Sequence, residues 1–318
     1  MRTHSGSPMY AFIVSHMYSG STLLTMLLDL HPQVATIGEL YWAYPLRAKD
    51  PSSYECSCRA RLRECPYWSG VHDDLAQRIG RTIDFERFPL RPELPRHPRL
   101  NRMLLPYHSN RVIESLSAVA VTSLLSRNHS LRTLVRNHND YFGHIFEVTG
   151  TRCFVDASKA ERYLRFLPLF HDERRTTRVI HLRRSAKGVM ASMKRYSQGP
   201  FQEKWLDEWV SGETRLDRRV AAYGDSAMSV WYEDLVREPA EMTSRICSFL
   251  HLGALPSLDL GSVAHHIVGN NRARFLLERE GIEMDESWRV VLTESEAEFI
   301  DRRLERVPHS LSWRRQGP

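Results

Sequence analysis

Short apolar runs and amphipathic stretches alternate along much of this chain. Tyr10–Val14 is an unbroken apolar run followed by a Gly/Ser turn, and helical spacing then covers Thr22–Leu30. Val34–Ile37 is a second extended run, which ends at Gly38-Glu39. The rhythm returns with a strand at Cys153–Val155 and helical spacing over Lys159–Phe170, at Tyr163, Leu164, Phe166 and Leu167. Thr177–Leu182 has strand character, Ser185–Tyr196 helical, Met228–Trp231 strand and Pro239–Leu250 helical. Strands alternating with helices predict an α/β fold, a P-loop-like parallel sheet flanked by helices on both faces.

Residues 56–146 interrupt that rhythm. The stretch 78–110 is rich in Arg and Pro, and 111–137 has helical character. The expectation is a single domain over 1–318, with 56–146 a helical and loop insertion after the first third of the sheet, capping one end of it. A chain of 318 residues accommodates this. The arginines of the insertion are read as a solvated face in preference to a binding patch.

Composition narrows the picture further. With 42% hydrophobic and 26% charged residues, disorder is excluded as the main state. The net charge of +6 calls for an anionic partner, which nucleic acid, a membrane surface or a phosphorylated cofactor would each satisfy. No apolar stretch approaches the ~20 residues of a membrane span. The first apolar run is too short for a signal segment, so a cytoplasmic location is expected.

Five cysteines do not suggest a disulfide framework in such a chain. Cys56, Cys58 and Cys65 offer three thiolates, and His72 a fourth ligand, but the spacing is not that of a standard zinc ribbon. A local loop staple or buried thiols is the preferred reading, with no metal site.

Ser19-Gly20-Ser21-Thr22 lies between the first strand and the first helix. Free amides of a first helical turn point at an anion there, and the helix dipole favours negative charge. The lysine of G-x-x-x-x-G-K-[ST] is missing, as is G-x-G-x-x-G. The loop therefore suits one terminal phosphate held without metal. A helix capped by Ser/Thr without a ligand is the bland alternative. A second strand-to-helix junction, Arg183-Arg184-Ser185-Ala186-Lys187-Gly188, crowds cations where the helix dipole disfavours them. Ser192 follows Arg184 by eight residues, so both can address one phosphate.

Together these segments resemble the sulfotransferases that use 3′-phosphoadenosine 5′-phosphosulfate (PAPS). Tyr18-Ser19-Gly20-Ser21-Thr22-Leu23-Leu24 resembles their 5′-phosphosulfate loop, and Arg184 with Ser192 their 3′-phosphate element. Asp156-Ala157-Ser158-Lys159, Tyr232-Glu233-Asp234-Leu235, Gly269-Asn270 with Arg272 and Arg274, and Asp285 with Trp288 follow in family order. Cys56, Cys58 and Cys65-Pro66-Tyr67-Trp68 are similar to a C-x-C…C-P-[FY]-W insertion of bacterial members.

The resemblance implies sulfuryl transfer from PAPS, leaving the bisphosphate PAP, to a hydroxyl or amine of a small-molecule, carbohydrate or peptide acceptor, with no metal required. Ser19, Gly20, Ser21 and Thr22 would hold the 5′ end. Arg184 and Ser192 would hold the 3′-phosphate, with Arg272 or Arg274 closing over it. Glu39 matches the acidic base of the tyrosylprotein branch, and His16 is the second candidate base.

The family's usual Lys or Arg two residues before the loop glycine is Tyr18 here, whose hydroxyl carries no positive charge. Lys159 is the favoured replacement, a protonated His16 the other. Tyr18 also keeps open a catalytically impaired PAP-binding relative. A P-loop nucleotide kinase lacks its lysine here, and a basic nucleic-acid-binding protein lacks a recognised motif, so no nucleic-acid partner is expected. Tyr41, Trp42, Tyr44, Tyr67 and Trp68 would either line an aromatic acceptor cleft or belong to the core.

Overall fold

The computed structural model describes residues 8–40, 55–80, 90, 129–165, 167, 176–269, 272–275 and 282–307. Its centre is a five-stranded, wholly parallel sheet of β1 (Met9–Ser15), β2 (Val34–Gly38), β3 (Cys153–Lys159), β4 (Thr176–Arg183) and β5 (Ala227–Trp231). The strand order is β2-β3-β1-β4-β5. All seven residues of β1 are buried, as a central strand covered on both faces requires. Its side chains sort by the two-residue period of a strand. Tyr10, Phe12 and Val14 enter one core, and Met9, Ala11 and Ile13 enter the other.

On the first face lie α2 (Pro66–Ile79) and α3 (His129–Thr149), which bring Trp68, Val71, Leu75, Tyr141, Phe142 and Ile145 against the β1 aromatics. These are the described helices of the 56–146 segment. On the second face, α1 (Ser21–Asp29) buries eight of its nine residues. It is joined there by α6 (Tyr232–Arg237) and α7 (Pro239–Phe249). A third apolar cluster ties α4 (Ala186–Ser197) to α5 (Glu203–Ala221), α8 (Trp288–Val291) and α9 (Glu294–Leu304).

The structure corrects one sequence expectation. No helix starts at Lys159: that residue still pairs with Val14 in the sheet, has φ 64°, and leads only into a short 3₁₀ segment, Glu161–Arg165. Residues 168–170 lie outside the described residues. One long element was not anticipated. The charged sequence of α5 hides an apolar stripe at Trp205, Leu206, Trp209, Leu216 and Val220. Among the described residues, no helix is long and apolar enough to cross a membrane.

Candidate active site

Each of the five strands ends at the same edge of the sheet, and each delivers one part of the site. β1 runs into the loop 16–20, which closes on Gly20 as the N-cap of α1. Gly20 has φ 85°, and a Cβ there would lie 2.4 Å from the Tyr232 ring, so glycine is required on both counts. Ser19 is buried, and its Oγ has no hydrogen-bond partner among the described residues. A buried hydroxyl next to the free amides of a helix N-terminus is a donor set for an anion.

β4 delivers two arginines that part company. Arg183 turns toward α5, where its Nη1 lies 3.1 Å from Asp217 and its guanidinium stacks over Trp231. Arg184 turns the other way. Its Nη1 donates to the Tyr18 carbonyl at 2.8 Å, its Nη2 to Asp285 Oδ2 at 2.8 Å, and its plane lies 4.6 Å from the Tyr232 ring centroid. Burial opposes ionisation of Asp285, but hydrogen bonds from Ser287 and Arg184 outweigh it and hold the carboxyl at about 2. The Arg184 side chain crosses the first turn of α4 over Gly188, and Ser192 Oγ bonds the Gly188 carbonyl at 2.9 Å. Arg184 and Ser192 thus both lie next to Gly188, the one across the first turn of α4 and the other bonded to its carbonyl.

β5 delivers Tyr232, which bridges three pieces. Its ring packs on Gly20 and under Arg184, while its hydroxyl donates to the Glu283 carbonyl and accepts from the Asp285 amide. The adjacent Glu233, buried, accepts from the Ser185 amide at 2.9 Å and answers the N-terminus of α4. Sequence reasoning quoted this segment but gave it no task. The signal was an aromatic directly after a strand end.

β2 and β3 deliver the remaining pair. Glu39 is buried and lines a small crevice with Ser21, Thr22, Thr25, Gly269 and Arg274. Lys159, at the end of β3, places its Nζ 2.5 Å from Glu39 Oε1. Asp156, three residues earlier, is fully buried and accepts from Tyr10 and from the Ser158 amide and hydroxyl.

The other candidates divide. Arg274 belongs to the Glu39 crevice, donates to the Glu55 carbonyl and stacks on Phe275 at 4.2 Å, with no described contact to Arg184 or Ser192. His16 packs beside Gly212 of α5, and its Nδ1 lies 3.3 Å from the Met17 carbonyl. Burial lowers its pKa despite nearby Glu213, which disfavours the protonated form. Burial likewise raises the Tyr18 hydroxyl, which stays neutral. Trp68 is core, and Tyr67 stacks on His266. Tyr41, Trp42, Tyr44, Asn270 and the Arg272 side chain lie outside the described residues.

A five-stranded parallel sheet covered by helices on both faces, with a Ser/Gly loop after its central strand, defines an α/β fold of the phosphate-loop type. The chain belongs to the sulfotransferase family, whose model matches residues 10–255. Among solved structures it is similar to the sulfotransferase domain of the Synechococcus PCC 7002 olefin synthase, at 18% identity and a TM-score of 0.46, covering 96% of this chain and 98% of that one. The sulfotransferase domain from the curacin biosynthetic pathway matches at 18% identity and 0.46, covering 96% and 100%. The sulfotransferase STF1 of Mycobacterium tuberculosis H37Rv matches at 16% and 0.42, covering 95% and 77%. No curated protein matches the chain.

Proposed function

We propose that this protein transfers a sulfuryl group from PAPS to a hydroxyl or amine acceptor. The reading rests on one observation above the rest: Arg184 Nη1 donates to the Tyr18 carbonyl at 2.8 Å, so a cation suited to a 3′-phosphate is built onto the loop suited to the 5′ end. A nucleotide with phosphates at both positions would span the pair. Ser19, Gly20, Ser21 and Thr22 hold the 5′ end in this scheme, and Arg184 and Ser192 hold the 3′-phosphate.

In the transfer, the acceptor heteroatom forms a bond to sulfur while the bond from sulfur to the bridging oxygen of PAPS breaks. The acceptor proton passes to Glu39, and PAP leaves with its new negative charge on the former bridging oxygen. Lys159 orients the Glu39 carboxylate. Lys159 and Arg274 supply the cationic field that Tyr18 does not, which favours transfer over a binding-only relative. In this scheme Arg274 serves the crevice, which it lines together with Glu39 while donating to the Glu55 carbonyl.

Titration calorimetry of PAP against ADP, without added metal, tests the proposal. PAP should bind far more tightly than ADP, and Arg184→Ala should weaken PAP by about 10- to 100-fold, the scale of a lost charge-assisted hydrogen bond, with ADP little changed. Equal binding of the two nucleotides, or none, would overturn it.

A further inference from the structure

Cys56, Cys58 and Cys65 meet a histidine, but it is not His72. His72 is buried on α2 between the rings of Trp68 and Tyr141, and burial pushes its imidazole down to about 3. The histidine that reaches the sulfurs is His266, 201 residues beyond Cys65. The four ligand atoms, three Sγ and the His266 Nδ1, all lie within 4.8 Å of one another. All three cysteines are free thiols.

The spacing among these atoms is informative. A tetrahedral zinc ion with Zn–S of about 2.3 Å and Zn–N of about 2.0–2.1 Å requires S···S of about 3.8 Å and S···N of about 3.5–3.6 Å. Here Cys56 and Cys65 stand 3.7 Å apart, and Cys58 and Cys65 3.8 Å. The His266 Nδ1 lies 3.3 Å from the Cys65 sulfur and 3.8 Å from the Cys56 sulfur, bracketing the required value. A disulfide would need the sulfurs at about 2.05 Å.

The surroundings are shaped for ligation as well. Glu55 and Arg61 pair as an antiparallel bridge, and the chain between them turns through Arg59 at φ 71°. Cys56 and Cys58 sit on this knuckle. Cys65 is the N-cap residue of α2, so its thiol stands at a helix N-terminus, where the dipole favours a thiolate. The Tyr67 ring stacks on His266 at 4.8 Å, and Trp68 Nε1 donates to the His266 carbonyl at 2.6 Å, which fixes the histidine in place.

We propose that these residues form a structural Cys₃His zinc site. Binding converts three thiols to thiolates, releases three protons, and leaves the cluster with one net negative charge. All four positions of the ion are filled by protein, so the site is closed and takes no part in chemistry. Its mechanical role is to clasp the segment carrying His266. That segment runs along β2, with the Val268 amide bonded to Ile37 and the Glu39 amide to Val268. Ile267, Val268 and Gly269 then form one wall of the Glu39 crevice. The proposal stands apart from the choice of sulfuryl donor.

The full chain, purified with reductant and without added metal, is the sample. Elemental analysis should find about one zinc per chain, surviving dialysis against a mild chelator. Exchange with Co²⁺ should give the visible bands of a tetrahedral thiolate site. Cys58→Ser, at an exposed position, and His266→Ala should each lower zinc content at least tenfold, whereas His72→Phe retains it. A fully reduced wild-type chain that holds no zinc and takes up neither Zn²⁺ nor Co²⁺ at equimolar addition would overturn the site. So would a Cys58–Cys65 disulfide in freshly isolated, metal-free protein.

Discussion

Arg184 can lie across the start of α4 because residue 188 has no side chain. A Cβ at Gly188 would come within 2.7 Å of Arg184 Nε, and the guanidinium would have to leave the position from which it holds Tyr18 and Asp285. Glycine inside a helix otherwise costs about 1 kcal/mol relative to alanine. Gly188→Ala should therefore leave the thermal midpoint unchanged or raised while weakening PAP binding at least tenfold. Equal PAP affinity with a displaced midpoint would show that Arg184 does not depend on this gap. At this scale the Ser/Gly loop and the arginines of the strand-to-helix junction were legible as local features, since each is written in consecutive residues. The contact of Lys159 with Glu39 was not, because no local pattern links residues 120 apart. Arg274 was legible as a cation but not as a neighbour of Glu39, and His266 carried no signal until the fold brought it to the cysteines.

The end of β3 shows how one element holds several site groups. Asp156 ties β3 to β1 through Tyr10 and holds the Ser158 amide and hydroxyl, while Lys159 follows three residues later. Burial raises the Asp156 carboxyl to about 6, against hydrogen bonds from Ser158 and Tyr10 that favour the anion. The folded state therefore binds more protons than the unfolded chain between about pH 4 and 6, and stability falls as pH rises through that window. Asp285 acts with the opposite sign and lower down: its contribution is present above about pH 4 and is lost as pH falls toward 2. The urea midpoint of the wild type minus that of Asp156→Asn should decline from pH 4 to 7, a difference that cancels the opposite contribution of buried histidines such as His72, and parallel profiles would refute the assignment. The strands themselves were legible because parallel strands buried on both faces read as unbroken apolar runs. Helix α5 escaped because its exposed positions are so densely charged that its stripe of Trp and Leu is diluted.

Across the whole molecule, the strand order reverses around β1, where open parallel sheets bind ligands beyond the carboxyl ends of their strands. Glu39, the loop 16–20, Arg184 and Tyr232 follow β2, β1, β4 and β5, and Lys159 ends β3, so the candidate site spans the full width of the sheet. The central claim is that one bisphosphorylated nucleotide bridges the β1 loop and the β4 junction. Hydrogen–deuterium exchange with and without saturating PAP tests it most directly. Exchange should slow at residues 18–24 and 183–192 together, with a smaller effect from ADP. Protection of only one of these segments, or of neither, would contradict it.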